Sequence, residues 1–129
     1  MQTLSQPSAK QETAVVNPAC GFHLLLTLRD CKADILNDQK GLEELTQAAA
    51  VASGATVMRV CSQQFSPQGV TAIAILAESH ASLHTYPEFN TVFWDCFTCG
   101  TECQPELSIP VLVEALKPEI ISKEIIYRH

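Results

Sequence analysis

The apolar run at residues 70–78, VTAIAILAE, constrains the fold of this chain more than any other segment. It follows the tetrapeptide SPQG at residues 66–69, whose proline and glycine are typical of a turn. A short run of aliphatic residues bounded by turn signals favours a strand in the centre of a sheet, buried on both faces. The other segments must therefore supply its neighbouring strands and the layer that covers it.

Further strands are predicted on both sides of this run. Residues 21–28 place a leucine at alternate positions, so one face of that strand is apolar. Residues 55–65 also alternate, with a slip in the pattern. Residues 91–98 are rich in valine and aromatic side chains, and they form a hairpin with residues 81–85.

Two segments have helical spacing. Asn37 or Asp38 caps a helix that Gly54 ends, and residues 105–116 form a second helix. Residues 119–127 read as a closing edge strand, protected by charged residues. The order predicts an α+β fold, a two-layer sandwich of a mainly antiparallel sheet with two helices on one face.

The chain length of 129 residues suits one domain, which can bury roughly two-thirds of the surface that its unfolded form exposes. Residues 1–18 are polar and have no hydrophobic period, so we expect a flexible N-terminal arm. Residues 19–129 then form a single domain.

Charge and hydrophobicity exclude some partners. The net charge of −6 argues against nucleic acid, because the eight lysines and arginines are scattered along the chain. The N-terminus lacks the apolar stretch of a signal peptide, and no segment is long and apolar enough to span a bilayer. We therefore expect a cytoplasmic protein with no membrane partner, whose six cysteines stay reduced.

Most groups that can do chemistry lie in residues 78–100, ESHASLHTYPEFNTVFWDCFTCG. Ser79 follows a glutamate, His80 and His84 come next, and the thiol of Cys99 lies near the end. A single hairpin can bring a hydroxyl, an imidazole and a thiol to one point. This segment is therefore the first candidate for an active site.

General alternatives for these residues are weaker. The GxSxG elbow of serine hydrolases is absent, so Ser79 can also be a strand-end residue with a satisfied hydroxyl. The CxxCxxxC run lacks the paired CxxC motifs of structural zinc sites, and we expect no metal. A zinc site would have to recruit its ligands from His80, His84, Cys96, Cys99 and Cys103. Cys99 can be a small buried hydrophobe, although its TCG context favours a strand end where a thiol meets a ligand.

The segment at residues 65–100 resembles the core of the S-adenosylmethionine decarboxylase proenzymes of bacteria and archaea, small pyruvoyl enzymes of polyamine synthesis. The resemblance depends on ESH, HTYPE and DCFTCG, with histidine five residues and cysteine twenty residues after Ser79. It extends more weakly over residues 20–116.

The resemblance implies that the protein cuts itself between Glu78 and Ser79, into chains 1–78 and 79–129. In such enzymes the serine hydroxyl attacks the preceding carbonyl, and the serine becomes a pyruvoyl group. That group is the only cofactor implied. Its ketone forms a Schiff base with the substrate and withdraws electrons as the carboxylate leaves.

The resemblance also assigns roles to other residues. His84 is the processing acid/base, Thr71 occupies the position of an assisting serine, and Cys99 donates the proton that replaces the carboxylate. Phe65 stacks on the adenine, and Glu88 accepts hydrogen bonds from the ribose. The implied product is decarboxylated S-adenosylmethionine, the aminopropyl donor for spermidine, and the implied assembly is a homodimer whose active sites draw on both protomers.

Three positions depart from the family pattern. Tyr86 stands where tryptophan is common, Gln64 has no nearby histidine, and Thr27 replaces an acidic residue. These changes leave two alternatives open. One is a pyruvoyl-dependent ornithine or arginine decarboxylase on the same scaffold, and the other is an inactive relative that regulates an active partner.

Overall fold

The computed structural model describes residues 19–99 and 102–129, so the predicted N-terminal arm lies outside the described residues. Three short 3-10 turns, Asp34–Asn37, Pro87–Phe89 and Pro105–Leu107, join some of the elements. The strands and helices are, in chain order, β1 (Gly21–Arg29), α1 (Gln39–Ala52), β2 (Val57–Gln64), β3 (Val70–Leu76), β4 (Ser79–Tyr86), β5 (Thr91–Cys99), α2 (Ser108–Leu116) and β6 (Ile120–Arg128).

The six strands form one sheet in the order β2-β3-β4-β5-β1-β6, and every neighbouring pair is antiparallel. Leucines from α1 and α2 join one core cluster with the inward side chains of the sheet. Trp94 on β5 is fully buried in this layer, where its indole N–H donates to the Ser108 hydroxyl at the start of α2. The predicted two-layer α+β fold is therefore confirmed.

The first helix begins and ends where the sequence indicated. The Asp38 carboxylate accepts a hydrogen bond from the Gly41 backbone N–H at 3.1 Å, which satisfies one of the free donors of the first turn. Gly54 follows the helix with a φ of +92°, a conformation that side chains rarely adopt. The buried stripe of α1 is Leu42, Leu45, Thr46, Ala49 and Ala50.

The prediction that β3 is buried on both faces is wrong for the single chain. Val70 and Leu76 are buried, but Ile73 and Ile75 on the other face are 36% and 44% exposed. Both helices lie on the same side of the sheet, so no element of the described chain covers the opposite side. We call that side the open face, and its partly exposed apolar side chains include Leu25, Ile73, Ile75, Tyr86, Phe93 and Ile126.

β6 pairs only with β1 and forms one edge of the sheet, as predicted, and all of its residues are exposed. Within residues 19–99 and 102–129, neither helix has the length and apolar content to cross a membrane. The cytoplasmic location stays a prediction.

Candidate active site

The predicted cleavage point lies at the tight turn between β3 and β4. Ser79 is the first residue of β4 and has a φ of +146°, which is uncommon for a residue with a side chain. The Glu78 carboxylate accepts a hydrogen bond from the Thr56 backbone N–H at 2.9 Å, which anchors the turn to the start of β2. Backbone strain is therefore located at the bond between Glu78 and Ser79.

The carbonyl oxygen of Glu78 accepts two hydrogen bonds from Cys99. The Cys99 backbone N–H donates at 3.0 Å and its Sγ–H donates at 3.1 Å. Pairing of β4 with β5 fixes this arrangement, because Ser79 is registered opposite Thr98. Two donors on one carbonyl oxygen are the arrangement that stabilises an oxyanion.

The structure places His84 elsewhere on the sheet. It lies five residues beyond Ser79 on β4, about 17 Å away at the usual rise of an antiparallel strand. The expectation that one hairpin gathers hydroxyl, imidazole and thiol therefore holds for Ser79 and Cys99, and is wrong for His84.

His84 is paired instead with Thr71, which lies opposite it on β3. The Thr71 hydroxyl and the His84 Nδ1 are 3.0 Å apart. Both side chains line a cavity of about 250 Å³ that also includes Phe65 and Glu88. Four of the predicted site residues thus meet at one end of the open face, while the cleavage point lies at the far end of β4.

Of the three positions at which a departure from the family pattern is predicted, Tyr86 and Gln64 lie at or beside this cavity, whereas Thr27 lies on β1. Tyr86 lines the cavity and packs its ring edge-on against Phe93, with the ring centroids 5.6 Å apart. The Gln64 side-chain amide donates to the Gly69 carbonyl at 2.9 Å, which braces the turn that holds Phe65. Tyr86 therefore forms part of the cavity wall, and Gln64 supports the turn beside it.

A chain of polar side chains crosses the open face from His84. Its Nε2 lies 3.2 Å from the Ser82 hydroxyl, which donates to Oδ1 of Asp95. The other carboxylate oxygen, Oδ2, meets Nε2 of His23 at 2.7 Å and Nε2 of His80 at 3.0 Å. Ser82 and Asp95 were not among the predicted site residues, although Ser82 lies on the same strand face as His80 and His84.

Asp95 is the ionised residue in this row of hydrogen-bonded side chains. Burial alone would raise its pKa, but hydrogen bonds from Ser82, His23 and His80, together with the charge of His80, outweigh burial and lower the pKa below its usual value. At neutral pH the open face therefore holds an ionised carboxylate between β1 and β4.

The same cluster is a group that could hold a metal. The ligand atoms of His23, His80 and Asp95 all lie within 4.8 Å of one another. Only His80 belongs to the zinc set considered from the sequence. Hydrogen bonds already engage both oxygens of Asp95, so the absence of a metal stays our prediction.

Two other thiols near the candidate site are buried. Burial raises the pKa of Cys96 to about 12 and the pKa of Cys103 to about 11. Both stay protonated at neutral pH and act as small hydrophobes in the core. Cys99, by contrast, is only partly buried and points its thiol at the turn before β4.

Comparisons with known proteins find similar sequences over most of the chain. A family model described as S-adenosylmethionine decarboxylase matches residues 22–129. The S-adenosylmethionine decarboxylase proenzyme of Methanococcus maripaludis strain S2 is 46% identical over 99 residues, which are 77% of this chain and 81% of that protein. The protein of the same name from Brevibacillus brevis is 46% identical over 99 residues, which are 77% of this chain and 74% of that protein.

A solved structure has the same architecture. The crystal structure of the adenosylmethionine decarboxylase from Aquifex aeolicus matches with a TM-score of 0.78 and 29% sequence identity. The match covers 87% of this chain and 92% of that chain. The likeness therefore extends over most of the chain.

Proposed function

The chain belongs to the S-adenosylmethionine decarboxylase family of pyruvoyl-dependent carboxy-lyases, and on that premise we propose that it is a self-cleaving decarboxylase of S-adenosylmethionine. The product is decarboxylated S-adenosylmethionine, the aminopropyl donor for spermidine. The observation that best supports this proposal is the strained Ser79 next to a Glu78 carbonyl that accepts both donors of Cys99.

Self-cleavage begins with the Ser79 hydroxyl. Its oxygen attacks the Glu78 carbonyl carbon, the hydroxyl proton is transferred through the acid/base group to the departing nitrogen as the amide C–N bond breaks, and an ester joins the two residues. Negative charge develops on the carbonyl oxygen, where the N–H and S–H of Cys99 already donate. Cleavage also relieves the strained backbone at Ser79.

Elimination then converts the ester into two chains. Residue 79 loses its α-proton and the ester oxygen leaves on Glu78 as a carboxylate, so residue 79 becomes dehydroalanine. Water hydrolyses the dehydroalanine to a pyruvoyl group and ammonia. The local geometry fits this product, because Ser79 begins a strand and Cys99 lies beside the bond that opens.

The pyruvoyl group supplies a ketone that draws electrons from the substrate as carbon dioxide leaves. Cys99 then has a second task. After cleavage the Sγ–H of Cys99 no longer donates to the Glu78 carbonyl. It is then free to protonate the α-carbon of the product. A partly buried thiol beside residue 79 is placed for this transfer.

The cavity with Phe65 and Glu88 binds the nucleoside. The Phe65 ring is 48% exposed in the single chain and offers a face for the adenine to stack on. The Glu88 carboxylate accepts hydrogen bonds from the ribose hydroxyls. Both residues lie beside His84, so binding and processing groups share one end of the open face.

A homodimer completes the active site. Within one chain His84 is about 17 Å from Ser79, too far for proton transfer. A two-fold interface through the apolar open face brings the His84 cavity of one protomer towards Ser79 of its partner. The same interface covers Ile73 and Ile75, which the helices leave exposed.

Mass spectrometry of the purified chain tests self-cleavage. We expect two fragments that meet between Glu78 and Ser79, the second beginning with a pyruvoyl group. The Ser79→Ala variant should remain one intact chain with no decarboxylase activity. A parent chain that stays whole after long incubation contradicts the proposal.

Mixed expression tests the shared site. Ser79→Ala and His84→Ala chains are each inactive alone, but a mixed dimer contains one site with both native residues. We expect the His84→Ala chain to be cut only in the mixture. Cleavage of the His84→Ala chain when it is expressed by itself would contradict a site shared between protomers. So would the absence of cleavage in dimers shown to contain both chains.

Substrate identity is tested by carbon dioxide release. We expect turnover of S-adenosylmethionine and none of ornithine or arginine, because the small amino acids make no use of Phe65. Phe65→Ala should then raise KM for S-adenosylmethionine more than it lowers kcat. Preference for either amino acid supports the alternative decarboxylase, and cleavage without turnover of any of the three contradicts the enzyme proposal.

A further inference from the structure

The hydrogen bonds between His84 and Asp95 leave only one arrangement of protons. Asp95 is ionised at neutral pH, so both of its oxygens can only accept. Ser82 has a single hydroxyl proton, which it donates to Oδ1 of Asp95. The Ser82 oxygen must therefore accept from its other neighbour, the His84 Nε2 at 3.2 Å. It follows that Nε2 of His84 carries a hydrogen.

The other ring nitrogen of His84 is then fixed as well. In a neutral imidazole only one nitrogen carries a hydrogen, so Nδ1 presents a lone pair. The Thr71 hydroxyl, 3.0 Å away, donates to it. The opposite tautomer would leave His84 Nε2 and the Ser82 oxygen as two facing acceptors.

Two histidines hold Asp95 in the position that this arrangement requires. His23 and His80 both bond to Oδ2, which leaves Oδ1 for Ser82. The Arg128 guanidinium lies 3.4 Å from Nδ1 of His23, so that nitrogen accepts and Nε2 is the donor to Asp95. Ser82 itself is only 8% exposed, which limits competition from water.

We propose that Asp95 acts through Ser82 as a positioning pair that holds His84 in its Nε2–H tautomer, so that Nδ1 is the basic atom presented to Thr71. This inference rests on the proposed role of His84 in self-cleavage and names the residues that prepare it. Neither Ser82 nor Asp95 touches the reacting bond in this arrangement.

The positioning pair also defines where a proton moves. As the Thr71 oxygen accepts the hydroxyl proton of the partner's Ser79, the Thr71 O–H bond breaks and its proton forms a new N–H bond at Nδ1 of His84. The resulting imidazolium keeps its Nε2–H bond to Ser82, and Ser82 keeps its bond to Asp95. The Asp95 carboxylate thereby stabilises the positive ring, as an aspartate does when it orients a catalytic histidine directly.

Nuclear magnetic resonance of the histidine ring nitrogens tests the tautomer without any catalysis. The full chain with Ser79→Ala remains uncut and is labelled with ¹⁵N, and His84→Gln identifies the His84 signals. We expect a protonated Nε2 and an unprotonated Nδ1 at neutral pH. In the same background Ser82→Ala and Asp95→Asn should release the ring to a mixture of tautomers.

Matched controls separate this effect from general disturbance. Glu124→Gln removes an exposed carboxylate from the open face of β6 and should leave the His84 signals unchanged. Backbone amide signals in the same samples report whether each variant is folded. The inference is overturned if the His84 ring of the Ser79→Ala chain carries its hydrogen on Nδ1. It is also overturned if the Nε2–H tautomer persists when Ser82→Ala and Asp95→Asn are each added and both variants are folded.

Cleavage rates supply the second measurement, in chains that retain Ser79. Ser82→Ala should slow cleavage by about 10- to 100-fold, part of the ~10²–10⁴-fold that general acid–base catalysis contributes. Ser82→Thr keeps the hydroxyl and should restore both tautomer and rate. Equal rates for Ser82→Ala and the parent overturn the inference, whereas a parent that never cleaves refutes the proposed function and leaves the tautomer result standing.

Discussion

Cys99 directs two donors, its backbone N–H and its thiol, at one carbonyl oxygen. Cys99→Ala removes the thiol and keeps the N–H, so we expect cleavage to slow by about 10²–10³-fold, the usual effect of losing one oxyanion donor. A mass-spectrometric time course measures the change. Val51→Ala, at an exposed side chain of α1 outside the open face, is the control and should cleave at the parent rate. Unchanged cleavage in Cys99→Ala would exclude the thiol from this step.

The cysteines should also differ in reactivity. Burial raises the pKa of Cys96 to about 12 and that of Cys103 to about 11, so almost no thiolate is present at pH 7.5. We expect iodoacetamide to reach Cys96 and Cys103 only after denaturation. Peptide mapping identifies the modified residues. Rapid native labelling of Cys96 would contradict its placement in the core.

Asp95 should make stability depend on pH. The pKa of Asp95 in the folded state lies below the pKa of an unfolded aspartate, which is about 4. The unfolded state therefore takes up a proton first, and the stabilisation present above about pH 4 is lost as pH falls through the folded pKa. Asp95→Asn should lower the free energy of unfolding by about 1–3 kcal/mol at pH 7 and by less at pH 3.

Urea denaturation at both pH values measures this difference, with Glu124→Gln as an exposed carboxylate control. The control should be within about 0.5 kcal/mol of the parent at either pH. An equal loss at pH 7 and pH 3 in Asp95→Asn would show that the carboxylate charge is not the cause.

At the scale of single elements, the caps of α1 are its clearest local determinants. Asp38→Ala removes the side-chain acceptor from the first turn, and we expect it to lower the free energy of unfolding by about 0.5–2 kcal/mol. Because α1 lies on the side of the sheet away from the open face, the folded fraction should still cleave at the parent rate. Thermal denaturation and the cleavage assay check the two parts, and a slower rate in fully folded protein would contradict that separation.

Local patterns predicted the elements, and pairing between elements determined what the sequence could not predict. Asp38 and Gly54 mark the ends of α1 by their own backbone chemistry. Ile73 and Ile75 looked buried because an apolar strand does not reveal how many of its faces are covered. The link between Ser82 and Asp95 depends on the register of β4 against β5, which no short motif encodes.

The candidate site was predictable in part for the same reason. The spacing of Ser79, His84 and Cys99 within one segment predicts that these three residues belong to the site. Their separation in space follows from strand geometry, since five extended residues span about 17 Å. Cys99 returns to Ser79 because β5 runs antiparallel to β4, whereas His84 stays on the same strand and moves away.

At the scale of the whole molecule, one assembly would account for both the apolar open face and the distance between His84 and Ser79. An apolar sheet face in water is unfavourable in a monomer and is typical of an interface. The proposed role of His84 in cleavage requires a second chain to bring its ring towards Ser79. A dimer through the open face satisfies both requirements, and it predicts that assembly and self-cleavage are lost together.

Ile75→Lys places a charge in the middle of the open face, where the native side chain is 44% exposed in one chain. The monomer should fold, because that side chain does not contribute to the core under the helices. We expect light scattering to show a monomer and mass spectrometry to show an uncut chain, since burying an unpaired charge strongly opposes association. Val51→Lys, on α1 and 54% exposed, adds the same charge outside the open face and should form a dimer and cleave normally. A folded Ile75→Lys monomer that still cuts itself would mean that one chain contains the complete processing site.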